Sequence, residues 1–287
     1  MTGSHPKAPA DGQLIEPRSV LARTARHAAH ALGLSFRFLD EEGYLFAVSD
    51  GRAEMILGTG ACTPYPVNSA SAYTLCRDKA YTNLLLSRAG LPVIPTSLYF
   101  VDPRRAEWRR PGRELQDLLT DSVGWTFPVF AKPNMGSRGE MAERIENLAG
   151  LSDWIRRVSP DYESVLIQPV VSGDEYRVFV LNGEALFSYR KSARGDGPAN
   201  LAQGGQVTDF REGAPTAMAA LAIAATRAMG LSLAGIDLFA GTPTGEFDGQ
   251  VVIEVNANPN LESLEITERE DLVLRIWTAV FSRDLSL

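Results

Sequence analysis

Two cysteines and three histidines are all that this 287-residue chain offers for thiol or imidazole chemistry. Cys62 and Cys76 cannot make a disulfide framework, and both read as small buried hydrophobes. His5 lies in the N-terminal tail, while His27 and His30 fall on one predicted helix with a solvated face. A histidine-based catalytic triad is therefore not expected. No apolar run reaches transmembrane length. The longest, from Ala217, stops at Thr226 and Arg227. The N-terminus lacks the apolar core of a signal peptide, and residues 1–17 read as a flexible tail. No helix-opening G-K-[ST] loop is present. Positive charge is scarce: 28 Lys and Arg stand against 35 Asp and Glu, a formal net charge of -7. That excludes a general attraction for nucleic acid or for an anionic membrane. A cytoplasmic location is the expectation.

The hydrophobic fraction of 45% and charged fraction of 22% are those of a globular protein. The length fits one large or two modest domains. A helix is predicted over residues 18–32, then strands over 34–39 and 44–48 and a hairpin turn at Asp50-Gly51. Residues 71–89 read as helical with a break near Asp78. Strands are predicted at 128–133, 165–168, 176–181 and 185–189, the last two joined by the Asn182-Gly183 turn. An Ala-rich helix follows over 214–229, and a final helix over 270–281. The layout is mixed α+β with antiparallel hairpins and few βαβ units.

The clearest chemical signal is V-V-I-E-V-N-A-N-P-N at residues 251–260. Its valines and Ile253 read as a buried strand, interrupted by Glu254 and Asn256 two residues apart. Alternation along a strand puts both on one face. A carboxylate and an amide there are costly without partners. Mg²⁺ with nucleotide phosphates would satisfy both, because hard cations take oxygen ligands. Asp237, in G-I-D-L-F, is a carboxylate in another apolar run. The turn-rich G-T-P-T-G-E-F-D-G between the runs predicts that they pair. Asp237, Glu254 and Asn256 then form one acidic cluster. A solvated strand face is the commoner fate of an isolated E-x-N, so the reading depends on other segments.

Lys132 ends the apolar run P-V-F-A-K-P and precedes N-M-G-S-R-G. Gly136 and Gly139, flanking Ser137 and Arg138, let backbone N–H groups approach phosphate oxygens. An ordinary loop with an exposed lysine is the alternative. Gln168, Val170 and Val171 lie in a segment between two strands that can offer backbone groups and apolar walls to an adenine ring. Glu175 follows as a ribose hydroxyl acceptor. Arg177, Arg190, Lys191 and Arg194 put four cations near one hairpin. They read as a clamp on a transferring phosphate and a substrate carboxylate, against the alternative of surface cations on an edge strand. N-L-A-Q-G-G, from Asn200, adds a glycine pair suited to close approach of a ligand.

From about residue 68 to about residue 260, the order of these segments resembles the ATP-grasp superfamily of carboxylate–amine ligases. A-Y-T-L-C-R-D-K-A-Y-T-N-L-L-L-S-R-A-G-L-P-V resembles the helix whose lysine, here Lys79, reaches the nucleotide phosphates. F-A-K-P resembles the second phosphate-binding position, at Lys132, and N-M-G-S-R-G the mobile loop over the triphosphate. L-I-Q-P-V-V-S-G-D-E-Y-R-V-F-V resembles the adenine hinge with its ribose-binding acid, Glu175. Arg177 matches a strand arginine near the transferred phosphoryl group, and Lys191 a further phosphate contact. G-I-D-L-F and I-E-V-N-A-N-P-N resemble the two metal-binding strands. Cyanophycin-synthetase-like, glutathione-synthetase-like and ribosomal-protein glutamate ligase branches are the nearest in character, through E-Y-R-V-F-V-L-N-G and N-L-A-Q-G-G.

The resemblance implies an α+β ATP-grasp fold. Two subdomains, 71–169 and 170–287, would clasp the nucleotide behind a short α/β unit at 18–70. It implies ATP, two Mg²⁺ ions with Mn²⁺ as a substitute, and small-molecule carboxylate and amine substrates. The expected product is an amide or peptide bond, formed through an acyl phosphate with release of ADP and phosphate. Arg177, Lys191 and Arg190 would serve the phosphoryl transfer. The loop over 134–140 is expected to act as a lid. Two departures stand out. Pro259-Asn260-Leu261-Glu262-Ser263 replaces the Pro-Gly of many relatives, beside the acceptor pocket. The region before Ser71 is shorter than in relatives, so a homodimer partner is expected to complete the site. A small-molecule kinase and a regulatory nucleotide binder are the alternatives, the latter disfavoured by the intact Asp237, Glu254 and Asn256.

Overall fold

The computed structural model describes residues 16–59, 63, 65–137, 139–192, 205–241 and 249–287. Most of the predicted tail, Cys62, Arg138, Arg194 and Asn200 lie outside these residues. Helix α1 (Val20–Ala31) starts where the Ser19 hydroxyl caps the Ala22 N–H, and buries Ala22, Ala25, Ala28 and Ala29 on one face. A three-stranded antiparallel meander follows: β1 (Ser35–Phe38), β2 (Leu45–Ser49) and β3 (Glu54–Gly58). Helices α2 (Ala70–Arg77) and α3 (Lys79–Arg88) are separated at Asp78. Its carboxylate accepts the Tyr81 N–H and restarts the helix at the break the sequence predicts.

A four-stranded sheet has the order β4-β7-β5-β6. Its strands are β4 (Ser97–Phe100), β5 (Val129–Pro133), β6 (Glu143–Ile145) and β7 (Ser164–Pro169). Helices α4 (Leu115–Ser122) and α5 (Leu148–Val158) cover it. A five-stranded sheet has the order β10-β9-β8-β11-β12. Its strands are β8 (Asp174–Leu181), β9 (Glu184–Ser192), β10 (Gln206–Glu212), β11 (Leu233–Ala240) and β12 (Val251–Asn256). Helix α6 (Thr216–Ala228) precedes β11, and α7 (Glu262–Ile266) and α8 (Glu270–Phe281) end the chain. Asn182 and Gly183 take φ of 49° and 81°, the left-handed pair that a type I′ hairpin turn requires. β4, β6 and β10 were not among the predicted strands. The first two are edge strands of four and three residues, and the third is mostly polar.

Packing divides the chain differently from the expected subdomains. The four-stranded sheet has its own core, around Trp154, Leu118, Val165 and Ile167. The larger sheet is buried on both faces. One face, with Phe179, Phe187 and Leu233, packs against α1, the meander and α8. The other, with Val178, Ile236 and Val255, packs against α6 and also against Ala72, Cys76 and Leu86 of α2 and α3. Residues 70–94 therefore belong by packing to the larger lobe, and the smaller lobe runs from about residue 97 to 169. Val93 also bridges to Val252 of β12. This packing has a simple cause: both helices bury their apolar faces against β12 and α6, which follow them by more than a hundred residues.

Candidate active site

Strand alternation brings the candidate residues to one cleft between the sheets. Glu175 and Arg177 lie on the β8 face that also carries Phe179 and Leu181, beyond the part covered by the α1–α8 core. Lys191 stands opposite Glu175 on β9. Asp237 on β11 pairs with Arg177 on one side and with Glu254 of β12 on the other. From the smaller lobe, Val129 and Ala131 point into the core, so Lys132 points out of it. Gln168 turns out likewise, beside the inward-facing Ile167. Lys79, Lys132, Gln168 and Glu254 line one cavity between the lobes.

Asp237 is the electrostatic centre. Arg177 donates to both its oxygens, Nε at 2.7 Å and Nη2 at 2.6 Å. Lys191 Nζ lies 2.8 Å from Asp237 Oδ2 and 2.7 Å from Glu175 Oε1. Asn256 Nδ2 donates to Asp237 Oδ2 at 3.2 Å. Burial alone would raise the Asp237 pKa, but Arg177 and then Lys191 outweigh it and hold the carboxyl at about 2. Gly235 makes room for this: a Cβ there would stand 2.9 Å from Pro259 Cβ and 3.5 Å from Arg177 Cδ.

Lys79 Nζ donates to the Gly136 carbonyl at 2.8 Å and lies 3.6 Å from Glu254 Oε1. The glycine loop thus meets this lysine through a carbonyl. Lys132 is different. It is 7% exposed, and no hydrogen bond or ion pair reaches its ammonium among the described residues. Burial pulls its pKa down; Glu254 opposes that shift and Lys79 reinforces it. The cluster therefore holds four cations, Lys79, Lys132, Arg177 and Lys191, against three carboxylates, Glu175, Asp237 and Glu254.

Not every expected residue arrives. Arg190 neighbours Lys191 on β9, so alternation turns it to the opposite face of the sheet. There it pairs with Asp174 at 2.9 Å and lies 3.9 Å from Asp209. It is removed from the clamp. Gln168 donates a side-chain N–H to Thr96 Oγ1 at 2.7 Å, which ties part of its amide to the smaller lobe. Val170 and Val171 lie in the link between the sheets, exposed and half-buried respectively. Ser137 and Gly139 lie in the loop beyond Lys132. Cys76 is buried, and its thiol is pushed up to about 12, which suits the inert hydrophobe expected.

Two asparagines were missed. Asn134 caps α3 from across the cleft, its Oδ1 accepting the Ala80 N–H at 2.9 Å. Asn68 is buried and uses its whole amide. Nδ2 donates to the Leu233 and Ala257 carbonyls at 2.7 and 2.9 Å, and Oδ1 accepts from Ser232 and Leu233 at 2.9 and 3.1 Å. It thereby ties the start of β11 to the residue after Asn256. The Tyr65 hydroxyl adds a bond to the Pro259 carbonyl at 3.2 Å. Asn68→Asp should lose about 1–3 kcal/mol in urea unfolding, because a buried carboxylate would face two carbonyl oxygens. Unchanged stability would mean that these strand ends are held by other contacts. The available signal was slight: an Asn next to the N-cap Ser69.

Two antiparallel lobes around a cleft lined with lysines and carboxylates define the ATP-grasp fold. The profile of the RimK-like ATP-grasp domain matches residues 76–280, and the chain belongs to that family. A probable alpha-L-glutamate ligase from Pseudoalteromonas translucida is 30% identical over 215 residues, 72% of this chain and 64% of the relative. The chain thus spans a little under two thirds of that relative's length. Among solved structures, a bifunctional glutathione synthetase from Pasteurella multocida superposes with a TM-score of 0.56 at 16% identity. It covers 89% of this chain and 44% of its own. A D-alanine–D-alanine ligase from Bacillus anthracis, complexed with ATP, gives 0.54 at 15% identity, covering 75% and 69%. At such identities the structures support the fold alone. Among the described residues, no helix is long and apolar enough to cross a membrane.

Proposed function

We propose that this protein is an ATP-dependent ligase that activates a carboxylate as an acyl phosphate and joins it to an amine. The observation that carries this reading is Lys132, buried and without a partner among the described residues, in a cluster with one cation in excess of its carboxylates. Such a site calls for a polyanion. In this reading Lys79, Lys132 and the Gly136–Gly139 loop hold the triphosphate, with Ser137 and Arg138 in that loop. The Gln168–Val171 link borders the adenine, and Glu175 the ribose.

Asp237, Glu254 and Asn256 are the residues that would hold Mg²⁺. They offer two carboxylates and an amide oxygen. No group of three His, Cys, Asp or Glu side chains gathers as a metal site among the described residues. Oxygen donors of this kind suit a hard cation that shares phosphate oxygens with the protein. When bound, Mg²⁺ supplies charge neutralisation at the phosphates. In this reading Arg177 and Lys191, held on Asp237, serve the transferring phosphoryl group. The substrate carboxylate oxygen attacks the γ-phosphorus, and the bond to ADP breaks. The amine then attacks the acyl carbon, phosphate leaves, and the amine proton passes to water. This chemistry asks the protein for positioning and charge rather than for a nucleophile.

The carboxylate substrate is an amino acid or peptide in this proposal, and the location is cytoplasmic. Phosphate release should require both an acid and an amine, tested over amino acids singly and in pairs, with glutamate first. Release with an acid alone and no amide product would point to hydrolysis or to a kinase. Lys79→Ala and Lys132→Ala should each weaken ATP by about 1–3 kcal/mol in calorimetry and leave adenosine unaffected. Equal weakening of both would assign these lysines to the fold.

A further inference from the structure

A second surface combines features that the ligase reading leaves unused. A groove of about 370 Å³ runs between the outer face of α3 and β4. Tyr81 and Leu84, one helical turn apart, line it while 55% and 51% exposed. Leu98 and Tyr99 line it from β4, and Arg113 borders it.

β4 is an edge strand, paired with β7 on one side. On its other side, the Phe100 N–H donates to the Arg113 carbonyl at 2.7 Å. Backbone groups alternate along a strand, so Leu98, two residues earlier, aims its N–H and C=O the same way, into the groove. No backbone partner meets them there among the described residues.

The loop from Pro103 to Arg113 carries five arginines in a chain of net charge -7. Arg104 is held by Asp102, and Arg109 by Glu114, Glu163 and the Phe100 ring. Arg105, Arg110 and Arg113 are exposed and have no ion pair or side-chain hydrogen bond among the described residues. Trp108 stands 85% exposed in the same loop. Arginine and tryptophan dominate binding hot spots, and the Trp108 ring stays open to solvent while its Nε1 donates to Glu107 Oε1 at 2.9 Å.

We propose that the groove docks an extended acidic peptide segment of a partner or substrate protein, added as a strand to β4. Main-chain bonds to Leu98 would anchor it, alternate apolar side chains would rest on Tyr81 and Leu84, and its carboxylates would meet Arg105, Arg110 and Arg113. The unpaired positive charge selects an acidic occupant. The open strand edge and apolar wall select a polypeptide over a nucleic acid. Asn83 lines both this groove and the cleft cavity, so a docked segment lies across α3 from Lys79. Binding is measured without nucleotide, so its outcome is independent of the ligase reading.

The test uses fluorescence anisotropy of the whole protein with a labelled peptide in which Glu alternates with Val. Its counterpart carries Gln for Glu. The Glu peptide should bind on the order of tenfold tighter or more, and should weaken with added salt. Binding should also change the emission of Trp108, a change lost in Trp108→Phe. Arg110→Glu with Arg113→Glu, and separately Leu84→Glu, should each cost on the order of tenfold in peptide affinity. The urea unfolding midpoint should stay constant in these variants, which shows that they fold. Equal binding of the two peptides would overturn the proposal, as would unchanged affinity in the charge-reversed protein. Preference of the same arginines for a single-stranded oligonucleotide would overturn it too.

Discussion

Glu254→Gln is expected to cut ATP-dependent phosphate release by about a hundredfold or more while barely moving the unfolding midpoint. The two effects separate because of where Glu254 sits. Among the described residues its one ion-pair partner is Lys79 at 3.6 Å, and its side chain is 30% exposed. A pair of that kind contributes about 0–1 kcal/mol. Its value lies in oxygen ligation, where the loss of a charge weakens a hard cation directly. Stopped turnover together with a normal urea curve is the expected pair of observations. Near-wild-type phosphate release at saturating Mg²⁺ would remove Glu254 from the metal set.

Asp237→Asn should behave differently, losing activity and stability together. Asp237 is 3% exposed and neutralises both Arg177 and Lys191. Removing one partner of a buried ion pair typically costs about 3–5 kcal/mol, because the other charges remain buried. The pH dependence follows the same logic. Arg177 and Lys191 hold the Asp237 pKa at about 2, below its ordinary value near 3.9 in the unfolded chain. The unfolded chain therefore binds the proton more readily, and the stabilisation is present above about pH 4 and fades toward pH 2. Asp237→Asn should lack that component of acid destabilisation. An Asp237→Asn protein as stable as wild type, with the same acid limb, would mean that the cluster is solvated.

The contrast between these two carboxylates shows what could be read before the fold was known. Glu254 and Asn256 had to share a face, because a period of two leaves a strand no other choice. Asp237 joined them because the segment between the two apolar runs is rich in turn residues. The same rule should have excluded Arg190: adjacent to Lys191, it could not face the cleft with it. Charge clustering in sequence suggested a clamp of four, whereas alternation admits only every second residue. The difference in burial between Asp237 and Glu254 was not legible, since it depends on which strand lies centrally. β11 is flanked on both sides, and β12 is an edge.

The division into lobes was hidden for another reason. Helices α2 and α3 carry apolar faces that would suit either sheet. Their choice of β12 and α6 is a long-range packing outcome without a local signature. Asn68 was invisible on similar grounds. An asparagine ahead of a helix cap reads as turn chemistry, and only the assembled strand ends show that its four bonds are spent on Ser232, the first residue of β11 and the residue after β12. Lys132 was legible as a strand-end lysine. Its burial without a partner, which carries the functional reading, was not.

Oxygen-isotope transfer tests the central claim most directly. An acid and amine pair that supports phosphate release would be supplied with the acid's carboxylate labelled with ¹⁸O. Acyl phosphate formation places a carboxylate oxygen between carbon and phosphorus, and attack by the amine sends that oxygen out with the phosphate. The account predicts one ¹⁸O in each phosphate released, with amide formed in equal amount. Phosphate without label, or labelled only from solvent water, would contradict it.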